Sequence, residues 1–358
     1  MRVYLLTILL IGTALMTINS CRKKKDVMPD GEVLLPRDVA ITDAEYSKVK
    51  DILVYVSTNP SQLNILTPSR NSTDKIPLDF SPMSVSISSD GNFAVVGFDA
   101  HLSYVDLSAK KVINTLNVSC EALDIVLGNN KWAYVFPKRD QWENIHCLDL
   151  TTGKETLSLG SSIYAGSKGK LHPAGNFMYV TDNNLGPSDI AKFNVREGVA
   201  SSMYDSRYHG DYPVEGDLWF SEDGKRVFLK GQTVMRLSDD QEQDMVYNGT
   251  IGLDTINNTV DNMKRILSLD HSAAANRLYL LPTVIDYNSS PQSRTLPYVY
   301  VYDATNLTYL RKIAVKKNTS DLSAIEPHYV FVNAKGDQLY VITSEKAGDK
   351  VNWAIQAL

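Results

Sequence analysis

Cysteine is scarce: Cys21, Cys120 and Cys147 are the whole complement. Two cysteines beyond the N-terminal region make no disulfide framework for a chain this long, and no zinc-type cysteine spacing exists. Cys120 and Cys147 could pair in an oxidising compartment, but the preferred reading is two small buried apolar residues. Long hydrophobic runs are missing too, since the apolar stretch Tyr4 to Met16 falls short of the roughly 20 residues that a spanning helix needs. Positive charge is short in the body of the chain. Residues 1–25 hold five basic and no acidic side chains, which leaves 31 basic against 41 acidic for the rest. Phosphate binding needs a basic face, so this balance excludes nucleic acid as a partner. Apolar residues at helical spacing are absent from the body, which excludes a helical solenoid.

What is present begins at the N-terminus. Arg2, the apolar run and Ile18-Asn19-Ser20-Cys21 predict a secretory signal over residues 1–20. Ile-Asn-Ser-Cys resembles the bacterial lipobox, in which the cysteine sulfur receives a diacylglycerol and becomes the new N-terminus. That resemblance implies a mature protein held to a membrane through Cys21, with residues 21–30 as a lipidated tether. Arg22 follows the cysteine in place of the aspartate that keeps some lipoproteins in the inner membrane. The expectation is therefore an outer-membrane lipoprotein of a Gram-negative envelope, at its periplasmic face or on the cell surface. Arg22-Lys23-Lys24-Lys25 reads as a solvated tether, or as a cluster drawn to anionic headgroups by about 1 kcal/mol per basic residue.

The body is a repeat. "SISSDGNFAVVGF" (Ser86 to Phe98), "GKLHPAGNFMYVTD" (Gly169 to Asp182), "LWFSEDGKRVFLK" (Leu218 to Lys230) and "VFVNAKGDQLYVIT" (Val330 to Thr343) each read as apolar strand, glycine turn and second apolar strand. Degenerate copies fill the gaps. Aligned on the middle of the second strand, they give Tyr55, Val95, Tyr134, Tyr179, Phe228, Tyr279 and Tyr340, spaced 40, 39, 45, 49, 51 and 61 residues apart. Third strands such as "LSYVDLSAKK" and fourth strands such as "VINTLNV" follow most anchors. Four short antiparallel strands at this period predict an all-β, seven-bladed β-propeller forming a single domain over residues 31–358. The last blade, Glu326 to Leu358, supplies only three strands. "GEVLLPR" near the N-terminus is the candidate for its missing outer strand, because an open edge recruits other chains.

"YVTD" (Tyr179 to Asp182), the S-x-D-G turns and "YVYDATNLTYLRKIAV" resemble the YVTN-repeat β-propellers of bacterial and archaeal envelopes, which include surface-layer-like proteins. The resemblance spans nearly all of the mature chain and implies architecture rather than chemistry. Gly128-Asn129-Asn130 departs from the usual turn, and the later blades carry insertions.

Catalytic motifs are absent. Trp132, Trp142, Trp219 and Trp353 are followed by Ala, Glu, Phe and Ala, which is no WD repeat, and Ser88-Ser89-Asp90-Gly91 lacks the spacing and tryptophan of a sialidase Asp box. The repeated tryptophan docking pattern of quinone-dependent dehydrogenases is missing as well. The six histidines show neither H-x-H nor H-x-x-H spacing, so no metal site, cofactor or catalytic residue is assigned. Asp106, Asp149 and Asp303 recur at the ends of third strands, where a carboxylate caps the turn. Asp254-Thr255-Ile256 resembles the O-glycosylation acceptor of Bacteroidetes envelope proteins. The long connections fall on one face of the disc, between second and third strands or between successive blades, and bring Trp142, Tyr204, Tyr208, His209, Tyr212 and Tyr287 to its rim or central mouth. Rigid aromatic faces with polar tips suit sugars or protein partners. The sequence thus points to a binding or scaffold module for a glycan or an envelope protein. A propeller hydrolase or lyase, resembling lactonases, with its residues at the axial mouth, is the alternative.

Overall fold

A computed structural model describes residues 32–36, 38–183, 185–253, 263–285, 293–315, 325–347 and 350–358. Cys21, Tyr287 and Asp254 to Ile256 lie outside the described residues. Among the described residues the regular structure is thirty strands and two short 3-10 turns, and no helix is long and apolar enough to cross a membrane.

The strands form antiparallel sheets in chain order: four sheets of four strands, one of five, one of seven and a two-stranded ribbon. The seven-stranded sheet is held together by the long strand Lys111–Leu127. Its first part pairs with Asp99–Asp106, from Asp106↔Lys111 to Asp99↔Glu121, and its second part pairs with Trp132–Pro137, from Pro137↔Ala122 to Ala133↔Leu127. One strand is therefore outermost in one unit and innermost in the next. Gly97 marks the crossing, because a Cβ there would come within 2.7 Å of the Ala122 Cβ.

The innermost strands Ala40–Ser47, Ser84–Ile87, Lys168–Leu171, Leu218–Phe220, Met263–Ser272 and Ile325–Val332, with the second part of Lys111–Leu127, pack side by side around an axis. This is a β-propeller. The hydrophobic clusters straddle successive sheets, apart from one inside the seven-stranded sheet, where Val95 and Leu102 meet Ala133 and Leu148: Val54 and Leu63 meet Val96 and Val105, Tyr134 and Phe136 meet Met178 and Phe193, and Tyr55 and Leu66 meet Tyr340 and Ile355. The repeat anchors Tyr55, Val95, Tyr134, Tyr179, Phe228, Tyr279 and Tyr340 all lie in second strands, and all are buried. Buried tyrosines need a partner for the hydroxyl. Tyr134 donates to the Gly198 carbonyl at 2.7 Å, and Tyr179 donates to Asp244 at 2.9 Å.

The turn reading holds. Asp149 Oδ1 accepts from Thr151 N at 2.8 Å, and Asp303 Oδ1 accepts from Thr305 N and Asn306 N. His172 replaces the turn serine, its Nδ1 taking Ala174 N at 3.2 Å. Cys120 and Cys147 are both free thiols; Cys147 is buried as expected, but Cys120 is only half-buried, and burial pushes them up to about 12 and about 11.

The ring is closed by Glu32–Leu34, which pairs antiparallel with Lys350–Ala357 through Glu32↔Gln356, Val33↔Ile355 and Leu34↔Ala354. Leu35 N adds a bond to Trp353 O at 2.9 Å. Each ladder bond is worth about 1 kcal/mol net, so removing residues through Leu34 is expected to cost a few kcal/mol and to bare the edge of the 350–357 strand. Chemical denaturation and size-exclusion chromatography should show a lower midpoint and self-association; an unchanged midpoint would mean that the ring closes without this clasp.

Candidate functional site

The innermost strands turn one edge toward the axis, and on four of them, Ser84–Ile87, Lys111–Leu127, Lys168–Leu171 and Ile325–Val332, side chains from the neighbouring inner strand accept from the edge N–H groups. Val85 N donates to Asp43 Oδ2 and Ile87 N to Glu45 Oε2, both at 2.8 Å. Leu127 N donates to Ser86 Oγ and Gly169 N to Asp124 Oδ2, both at 3.1 Å. Val330 N reaches Ser268 Oγ at 3.1 Å and Val332 N reaches Asp270 Oδ2 at 2.9 Å. Lys168 Nζ bonds Asp217 at 2.9 Å, Glu222 N donates to His271 Nδ1 at 3.1 Å, and Tyr329 donates to Thr42 O at 3.2 Å, which carries the chain of contacts around the ring.

These groups surround an axial cavity of about 560 Å³. Asp43 and Glu45 stand two residues apart on one strand, as do Lys168 and Lys170 on another, so each pair shares a face. Gly169 lies between the lysines because a Cβ there would meet the Phe136 ring at 2.3 Å. Lys170 Nζ reaches across to Glu45 at 3.4 Å. Both lysines keep 36% of their side-chain surface open, against 25% for Asp217 and 27% for Glu45, so the charges face the cavity rather than a dry core. Ile87, Trp219, Phe331 and Tyr46 supply half-buried apolar and aromatic walls. Lys48, Ser88, Ser89, Pro173 and Glu222, from the turns between first and second strands, also line it. The cavity therefore opens on the short-turn face, opposite the long connections. At that mouth Lys48 Nζ bonds Glu222 at 2.7 Å and Asp270 at 2.9 Å.

The electrostatics follow from crowding. Lys168 is raised above the usual lysine range, chiefly by Asp217. Burial works against the charge of Lys170, but Glu45 and Asp217 outweigh it and push it up. Burial likewise opposes ionisation of Asp217, yet the two lysines hold it below its ordinary value. Asp124 is raised by burial, and Asp43 is pushed by burial up to about 7 despite the Val85 N–H and Lys168.

Of the residues that the sequence nominated, Tyr204, Tyr208, His209 and Tyr212 come together at the outer rim. Tyr204 lies in the fourth strand Ser201–Asp205, and the rest lie in the connection to Leu218–Phe220. Tyr204 donates to Asp244 Oδ2 at 3.0 Å, in a hub where fully buried Asp244 also pairs with Lys192 at 2.8 Å. Tyr208 packs on the core beneath it, and its hydroxyl takes Tyr247 N at 3.4 Å. Tyr212 stacks on Tyr247 at 4.1 Å and 7°, and meets Tyr208 edge-on at 4.9 Å. His209 Nδ1 lies 2.9 Å from Asp189. Trp142 is 60% exposed and belongs to a separate ribbon, Trp142–Glu143 with Ile163–Tyr164, where it meets Tyr164 edge-on at 5.5 Å. A second cavity, of about 540 Å³, lies on this face between Pro187, Tyr212, Glu215, Lys230 and Arg265.

The axial residues escaped the sequence reading. Their signal was present as alternating charge in first strands, "TDAE" and "KGK", but nothing local says that these strands meet at an axis.

No family model matches the chain, and no curated protein does. Among solved structures, the β-propeller domain of Myceliophteria thermophila Cps50 (Swd1) aligns with a TM-score of 0.61 at 12% identity, over 90% of this chain and 99% of that one. Kuenenia stuttgartiensis hydrazine synthase aligns more loosely, at a TM-score of 0.47 and 14% identity, over 87% and 78%. The first likeness is one of fold alone, and it agrees with the propeller described above.

A carboxyl whose folded pKa is raised holds its proton more tightly than the unfolded chain does. The stability contributed by Asp43 is thus complete below about pH 4 and is lost as pH rises through about 7. Asp43→Asn keeps an acceptor for Val85 N and cannot ionise. Its melting temperature should fall less steeply than that of the wild type between about pH 4 and about pH 7; equal slopes would remove Asp43 as a source of pH dependence.

Proposed function

We propose that this chain is a lipid-anchored, seven-bladed propeller of a bacterial envelope, similar to the YVTN-repeat proteins, that binds a polyhydroxylated ligand, a glycan or a piece of one, in its axial cavity. The blade count takes the seven-stranded sheet as two blades sharing the strand Lys111–Leu127, in keeping with the repeat anchors. The observation that carries the binding reading is the cavity itself. It combines paired donors and acceptors, Lys168 with Asp217 and Lys170 with Glu45, with the aromatic side chain of Trp219 in the wall. Sugars present hydroxyls to both kinds of group and a C–H face to an aromatic ring. The anchor reading rests on the Ile-Asn-Ser-Cys boundary, and envelope proteins are the second partner class, suited to the Tyr212 and Tyr247 rim.

A hydrolase or lyase is favoured by one observation: Asp43, pushed up to about 7, stands in the same cavity, in the range where a carboxyl serves as a general acid or base. Against it, Asp43 already accepts Val85 N and Ala44 N, each at 2.8 Å.

A glycan array on residues 26–358, followed by titration calorimetry, tests the reading. Lys170→Met is expected to weaken the detected glycan by about tenfold, or about 1.4 kcal/mol, while Tyr208→Ala with Tyr212→Ala leaves it unchanged. The reverse pattern would move the ligand to the rim. Loss of product formation in Asp43→Asn with binding intact would favour the enzyme. For the anchor, Cys21→Ser should abolish metabolic fatty-acid labelling and release the protein from the membrane fraction; labelling that persists would refute lipidation at Cys21.

A further inference from the structure

We propose that Asp189, Asp205 and His209 form a binding site for a divalent transition metal of the zinc type. The site is outside the axial cavity and independent of the glycan reading. Its residues come from three pieces of chain. Asp189 immediately precedes the third strand Ile190–Asn194, Asp205 ends the fourth strand Ser201–Asp205, and His209 follows in the connection to the next sheet. The two strands are hydrogen-bonded neighbours, with Ala191 opposite Asp205, so Asp189, two residues before Ala191, lies diagonally across from Asp205. One ligand atom from each of the three residues lies within 4.8 Å of the others. Around a tetrahedral ion with bonds of about 2.1 Å, ligand atoms are about 3.4 Å apart, so modest side-chain rotation closes the set.

A second observation concerns charge. Asp182 stands behind the cluster, where its Oδ2 accepts Asp189 N at 3.0 Å, while its Oδ1 is buried with no hydrogen-bond partner. Among the described residues no lysine or arginine is ion-paired with Asp182, Asp189 or Asp205, and the imidazole of His209 is the sole partner of that kind. Arg207, between Asp205 and His209 in the chain, bonds Glu242 O at 2.5 Å instead. Asp189 and Asp205 thus lie together with the His209 imidazole as the one neutralisable group beside them, and Asp182 stands one hydrogen bond behind Asp189. Asp189 Oδ1 is engaged by Ile190 N at 2.7 Å, which leaves Oδ2 toward His209.

In the metal complex His209 takes the tautomer protonated on Nε2, so its Nδ1 lone pair faces the ion, and the present His209–Asp189 contact becomes two bonds to one metal. Water completes the coordination. One imidazole and two carboxylates select Zn²⁺, Ni²⁺ or Co²⁺ over Ca²⁺, which takes oxygen ligands. The ion would pin the connection that carries Tyr212 to the turn before the third strand.

The test uses the untagged mature chain, stripped with chelator. Titration with ZnCl₂ by calorimetry should give one saturable site per chain, CoCl₂ should give a visible d–d absorption band that Zn²⁺ removes, and CaCl₂ should give neither. His209→Ala and Asp205→Asn should each weaken Zn²⁺ binding by at least the roughly tenfold that even a supporting residue commands, with metal-free circular dichroism and melting unchanged. Absence of saturable one-to-one binding, an affinity untouched by His209→Ala, or equal competition by Ca²⁺ would each overturn the proposal.

Discussion

The constraint on which the molecule turns is the inner edge of each sheet. Ring closure removes the ends of the assembly, but every sheet in it still has two edges. The inner ones converge on the axis, where a buried N–H without a partner costs about 1 to 3 kcal/mol. Apolar side chains cannot meet that demand. Asp43, Glu45, Ser86, Asp124, Ser268 and Asp270 do, each for the next strand around. Once carboxylates occupy the axis they repel one another, and Lys168, Lys170 and Lys48 restore balance. The polar cavity is thus a consequence of satisfying backbone groups, available to a ligand afterwards.

Between the edges and the rim, cohesion comes from sheet-to-sheet packing. Second-strand aromatics fill the wedges, and each cluster joins neighbours in sequence until the 40–77 sheet meets the 325–357 sheet. The clasp from Glu32 to Leu34 joins the sheet formed by the last strands of the chain. It converts the two ends of the described domain into one sheet, so stability at the seam depends on residues far apart in the chain.

This division decides what was legible in the sequence. Tyr134 and Tyr179 announced themselves because a buried aromatic beside a glycine turn recurs locally, and "GEVLLPR" did because a three-stranded final unit demands a fourth strand. Asp149 and Asp303 were readable as caps since their partners lie two or three residues away. The pairing of Lys170 with Glu45 bridges 125 residues, and that of Lys48 with Asp270 bridges 222. No local pattern encodes such partners, so the charged axis and its opening on the short-turn face stayed hidden. Tyr204 shows the opposite error of emphasis. Its loop-like setting suggested exposure, whereas Asp244, 40 residues on, holds its hydroxyl beside buried Lys192.

The connection from Ser206 to Asp217 accordingly resolves into two kinds of residue. Thr181 bonds Gly216 O, Ser188 Oγ accepts Glu215 N at 2.9 Å, Thr233 donates to Pro213 O at 2.7 Å, and Gly231 N reaches Val214 O at 2.9 Å. Tyr208 is spent on packing and on Tyr247 N. What remains for a partner is the outer surface of the Tyr212 and Tyr247 stack. A surface held by this many bonds has little freedom left to lose on association, and lost freedom is the main charge against loop-borne binding sites. The length of the connection is therefore not a sign of flexibility: its backbone is used to fix one aromatic pair in place.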